Sequence, residues 1–192
     1  MRFDDPMLKR FLLATSIVLA PIAATAAEDA VKPQEAASQS PTSSVQLVWQ
    51  VYLGGFNLGN IGLKTSFNGD GYSAVSRLKT AGVVNSFYEA IIDATSVGTV
   101  AGNGLLPKKY DSNTNNEKQN QKVNLTYTAS GIQLFSDPQY DVNRFPVSDE
   151  QKRGTLDPLS GIVYSLSGVS VSAEKPCGDT VRVFDGRRRY DI

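Results

Sequence analysis

NLGNIGLKTSFNGDGYSAVSRLKT, residues 57–80, decides the fold. Ile61, Leu63, Thr65 and Phe67 recur at every second position, so one face of an extended segment is apolar. Asn68-Gly69-Asp70-Gly71 then breaks the alternation with residues that accept positive φ, the composition of a tight hairpin turn. The returning segment turns Tyr72, Ala74 and Leu78 inward. Upstream, QLVWQVYL alternates Leu47, Trp49, Val51 and Leu53, and Gly54-Gly55 supplies a turn or bulge. Three antiparallel strands joined by tight turns, a meander, follow.

Strand signals continue downstream. GVVNSFYEAII, residues 82–92, predicts a short helix running into a strand, and IIDATSVGTVAGN reads as extended. A further strand is expected to begin after Pro107, in the run LLPKKYDSN. DSNTNNEKQNQK, residues 111–122, is wholly polar and predicts a solvated hairpin loop. VNLTYTA alternates Val123, Leu125 and Tyr127, and Ser130-Gly131 turns it into IQLFS. After an irregular stretch, Asp157-Pro158 combines an N-cap residue with proline at the first helical position. Leu159, Ile162, Val163 and Leu166 then line one helical face. Gly161 inside that helix lowers its propensity and implies close approach to a neighbour. The expected fold is mainly β: a strongly curved antiparallel sheet or partly open barrel with one or two short covering helices.

The N-terminus reads as an export signal. Arg2, Lys9 and Arg10 precede an apolar run from Phe11 to Ile22, which ends in Ala23-Ala24-Thr25-Ala26-Ala27. That run falls short of the ~20 residues a spanning helix needs, and the small residues make an A-x-A cleavage site. Residues 1–26 are therefore expected to be a signal peptide. Residues 27–44, rich in Ala, Ser, Gln, Glu and Pro, are expected to be a disordered linker, because they hold too little apolar surface to offset ordering entropy. Residues 45–192 remain as one β-rich periplasmic domain, with no transmembrane segment after signal removal.

Composition limits the chemistry. Lys and Arg total 19, as do Asp and Glu, so the chain lacks the basic excess of a nucleic-acid binder. It contains no histidine, which excludes His-based metal sites and Ser-His or Cys-His couples. No cofactor or metal site is expected.

The C-terminal stretch PCGDTVRVFDGRRRYDI, residues 176–192, holds the single cysteine and four arginines. Asp185-Gly186 suits a two-residue hairpin turn, which would set Arg182 opposite Arg189, Val183 opposite Arg188 and Phe184 opposite Arg187. Two readings stand. The arginines pair with acids such as Glu174, Asp179 and Asp191, or Arg182, Arg187 and Arg189 form an anion site, since the guanidinium fork suits phosphate and carboxylate alike. Arg188, among apolar neighbours in that register, would need a buried partner or an outward-reaching stem. Cys177 has no second cysteine to pair with, so in an exported protein its disulfide partner is expected to lie outside this chain.

Taken together, VYLGGFNLGNIGLK, LLPKKY, DPLSG and PCGDTVRVFDGRRRYDI resemble domain-of-unknown-function family 3108, uncharacterised exported bacterial proteins. The resemblance covers about residues 48–192. It implies periplasmic location and a β-rich fold, and assigns no catalytic residues. It also implies further strands and often another cysteine beyond the arginine strand, so a C-terminal truncation is expected here.

Two functions compete on these grounds. One is a non-enzymatic cell-envelope protein that binds an apolar or lipid ligand or an envelope protein partner. The other is a wall- or glycan-directed hydrolase using paired carboxylates, with Glu89, Asp93, Asp137, Asp141 and Asp157 as the available acids. Asp157 is the weakest of these, because it already serves as a helix cap.

Overall fold

The computed structural model describes residues 42–144 and 146–192. The leader and most of the linker lie outside the described residues. Seven strands form one antiparallel sheet in chain order: β1 Thr42–Leu53, β2 Phe56–Asn68, β3 Gly71–Thr80, β4 Ala90–Ala101, β5 Gly104–Asn116, β6 Asn120–Thr128 and β7 Gly131–Asp137. The sheet is a pure meander, curved and not closed into a barrel. β1 begins at Thr42, inside the stretch expected to be linker.

The hairpin read from residues 57–80 forms with Phe67 opposite Tyr72, Thr65 opposite Ala74 and Ile61 opposite Leu78. Gly54 and Gly55, at φ 57° and 85°, make the turn before it. The predicted short helix is a 3₁₀ turn over Gly82–Ser86 that leads into β4. The polar stretch 111–122 differs from its expected form. Most of it is strand, and only residues 117–119 connect β5 to β6. Its composition misleads because pairing holds it on both sides: Ser112 lies between Ala94 and Val123, and Thr114 between Ile92 and Gln121. Pro107 sits within β5, not ahead of it, where the register shifts opposite Gly98; a bulge is where a sheet tolerates a missing N–H.

The inner face of the sheet carries Leu63, Ala74, Ala94, Tyr110, Val123 and Leu125. Two elements cover it. Helix α2, Pro158–Ser167, follows a single-turn helix α1, Asp149–Lys152, and contributes Leu159 and Val163. A short hairpin, β8 Arg182–Phe184 and β9 Arg189–Asp191, contributes Phe184. Gly161 is what lets these two covers touch. A Cβ there would stand 2.8 Å from Val183 Cγ2 and 3.2 Å from Ile192 Cδ1. Gly186 plays the same part toward the sheet, where a Cβ would meet Val123 Cγ1 at 2.8 Å and Leu134 Cδ1 at 3.0 Å.

The register of the terminal hairpin departs from expectation. Arg182 faces Asp191, Val183 faces Tyr190 and Phe184 faces Arg189. The turn centres on Gly186-Arg187, one residue later than Asp185-Gly186, with Gly186 at φ 93°. Glycine at the first central position is the type II′ pattern, which needs positive φ there and spares Asp185 that conformation. Asp185 instead accepts the Arg187 and Arg188 N–H groups on Oδ1, at 2.7 and 2.6 Å. The like-charge pair Arg182–Arg189 therefore never forms, and Arg188 leaves the strand for the turn.

Candidate functional site

A buried, fully hydrogen-bonded polar cluster is built where α2 meets the sheet. Asp157 ends the chain's approach to the helix in extended backbone, and its Oδ1 accepts the Leu159 and Ser160 N–H groups at 3.0 and 2.9 Å. Its Oδ2 takes Ser160 Oγ at 2.6 Å and Ser96 Oγ at 2.9 Å. Ser96 and Ser160 hydroxyls lie 2.8 Å apart, and Tyr72 Oη reaches Ser160 Oγ at 2.6 Å. All four residues are buried, Asp157 at 0% exposure.

Burial pushes the Asp157 carboxyl above its usual range, and the hydrogen bonds from Ser160, Ser96 and Leu159 only partly oppose this. Counting protons points the same way. Four contacts join Tyr72, Ser160, Ser96 and Oδ2, but the three hydroxyls bring only three protons. A protonated carboxyl would supply the fourth and let Asp157, Ser96 and Ser160 close a ring. Sealed from solvent, the cluster pins α2 to β3 and β4 and offers no reacting atom to a substrate.

The other candidate acids are committed separately. Asp93 bonds Arg77 at 3.1 Å, Glu89 lies 3.8 Å from Lys79, and Asp141 Oδ1 accepts the Asn143 N–H. Asp137 closes β7. Among the described residues no three His, Cys, Asp or Glu side chains group as metal ligands do. No described helix is long and apolar enough to cross a membrane.

The arginines are dispersed. Arg182 is exposed opposite Asp191, Arg187 lies 5.6 Å from the Tyr140 ring, and Arg189 bonds Asp191 at 2.8 Å. Arg189 and Arg188 border a cavity of about 630 Å³ together with Arg144, a residue that sequence reasoning did not single out. Cys177 is exposed, on the segment between α2 and β8.

A second opening lies between the sheet and the connection from α1 to α2. It measures about 590 Å³ and is walled by Leu105, Leu106 and Pro107 of β5, Tyr127 of β6, Ile132 of β7 and Leu156. Lys152 and Arg153 border it, with Asp149. The Tyr127 hydroxyl is buried without a hydrogen-bond partner, and desolvation pushes its pKa far up.

One family model spans most of the sheet, the Asp157-capped helix and the terminal hairpin. That model, described as a protein of unknown function (DUF3108), matches residues 48–192. The chain belongs to the DUF3108 family. No significant match to this DUF3108 chain is found among curated proteins or among solved structures. Of its buried cluster, Asp157 was legible as a cap. Ser160 follows it at the third helical position, a spacing that brings the hydroxyl back to the cap. Ser96 and Tyr72 become visible only once the β3–β4 register sets Gly98 opposite Tyr72 and Ser96 opposite Ala74.

Proposed function

We propose that this DUF3108 protein is a non-enzymatic periplasmic envelope protein that holds a small apolar or lipid-like ligand. The opening of about 590 Å³ beside β5–β7 carries this reading. Ligand sites commonly occupy ~300–1,000 Å³, with mostly apolar walls and a few polar groups that fix orientation. Leu105, Leu106, Pro107 and Ile132 suit an alkyl chain or ring, and Lys152 and Arg153 suit an acidic head. Export rests on the basic start, short apolar run and A-x-A site of residues 1–27. The scattered commitments of Glu89, Asp93, Asp141 and Asp157 favour binding over hydrolysis by a carboxylate pair.

Protein purified from the periplasm, extracted with organic solvent and read by mass spectrometry, is expected to release a co-purified amphiphile. Leu106 is more than half exposed, so Leu106→Glu should leave the fold intact and weaken uptake of a fluorescent fatty acid at least tenfold. An empty extract together with fatty-acid uptake unaffected by Leu106→Glu would overturn the reading and leave the envelope protein partner in its place.

A further inference from the structure

β1 is an open edge. Among the described residues it pairs with β2 alone, and its other side presents unpaired backbone groups along twelve residues. Its sequence, TSSVQLVWQVYL, contains no Lys, Arg, Asp, Glu or Pro, the residues that normally blunt an edge strand. The opposite edge is handled differently: β7 is short, and α1 packs against it. Val48 is 70% exposed on the outer face, and its neighbour on β2 is Gly62, which has no side chain.

We propose that β1 is the contact between two copies of this chain, paired antiparallel about a two-fold axis through Val48. Residues opposite each other in a sheet share a face, so only pairings that keep inner residues with inner ones are allowed. With Val48 on the axis, both faces match. On the inner face Leu47 meets Trp49 of the second copy and Val45 meets Val51. On the outer face Val48 meets itself and Gln46 meets Gln50, amide to amide. Moving the axis to Leu47 or to Trp49 sets Val48 against Gln46 or Gln50 and breaks the outer match. Because β1 carries no charge, self-pairing places no like charges opposite each other, whereas a charged partner would find no complement here. The β-bulge beside Val51 and Tyr52 lies on β2, where Leu58 is the extra residue, so β1 itself runs without interruption through the pairing. A two-fold contact also closes on itself, which limits the assembly to two chains and not a growing stack.

The test uses light scattering on the purified protein and thiol cross-linking in a Cys177→Ser background, so that each added cysteine is the only one. The native protein is expected to show the mass of a dimer at micromolar concentration. Val48→Lys, which sets two ammonium groups on the axis, is expected to show a monomer with an unchanged circular dichroism spectrum. Val48→Cys should form a covalent dimer on mild oxidation. Gln50→Cys should not, because its copy lies about four residues away along the strand, roughly 13 Å, beyond disulfide reach. A monomeric native protein would overturn the proposal, and that is also the result if a segment of the same chain covers β1. Equal cross-linking of Val48→Cys and Gln50→Cys would overturn it as well.

Discussion

The carboxyl of Asp157 serves the helix with one oxygen and the sheet with the other. Removing it exposes both debts: a lost N-cap costs ~1 kcal/mol, and buried hydroxyls left without partners cost ~1–3 kcal/mol. Asp157→Ala is therefore expected to lower stability by about 2–4 kcal/mol in urea unfolding. Asp157→Asn keeps an acceptor for the N–H groups and gains a donor for the serines, and should cost far less. The pH dependence separates the two forms of the native residue. Its folded pKa is raised, so the contribution is complete below the unfolded value of 3.8 and is lost as pH rises through the folded value. From pH 4 upward, Asp157→Asn should gain on the native protein, which parallel urea titrations across pH would show. Tyr127 gives the opposite lesson. Its hydroxyl is buried with nothing to bond, so Tyr127→Phe should leave stability unchanged or raise it by up to about 1 kcal/mol in the same titrations.

At the scale of elements, α2 and the β8–β9 hairpin depend on Gly161. Alanine there improves helical propensity by ~1 kcal/mol but drives a methyl group into Val183, where overpacking costs ~1–3 kcal/mol. The clash should outweigh the gain: Gly161→Ala is expected to lose up to about 2 kcal/mol by urea midpoint. A cycle with Val183→Ala should show favourable coupling between the two changes. The Arg189–Asp191 pair is surface-exposed enough that Asp191→Asn should shift stability by less than ~1 kcal/mol. The elements that were legible in the sequence share a property. Residues 57–80 and the Asp157-Pro158 helix start are fixed by neighbours within a few positions. The terminal hairpin was not, because Asp185-Gly186-Arg187 admits two turn centres, and the choice lies in a side-chain bond from Asp185 to the next two N–H groups. Asn113, Thr114 and their neighbours likewise look like a loop until partner strands claim them.

For the molecule as a whole, one core joins the sheet, α2 and the hairpin. Leu125, at 0% exposure, belongs to the same cluster as Leu159 and Phe184, and Gly186 packs close to it. Leu125→Ala is expected to cost ~2–5 kcal/mol and to shift one cooperative transition, with fluorescence and circular dichroism coinciding. Two separated transitions would show that the cover unfolds apart from the sheet. The sheet-plus-helix fold could be read from alternation and turn chemistry. The cavity beside β5–β7 could not, because its wall combines residues 105–107, 127–132, 149 and 152–156 that only the completed topology assembles. The meander also sets a timetable. Each strand of the sheet can dock on the one made just before it, so the sheet can grow in step with synthesis. The cover follows the sheet, when residues 157–192 emerge. Until then Ser96 and Tyr72 keep their hydroxyls in water beside Val123 and Leu125, and docking of the cover dries a polar spot set inside an apolar one.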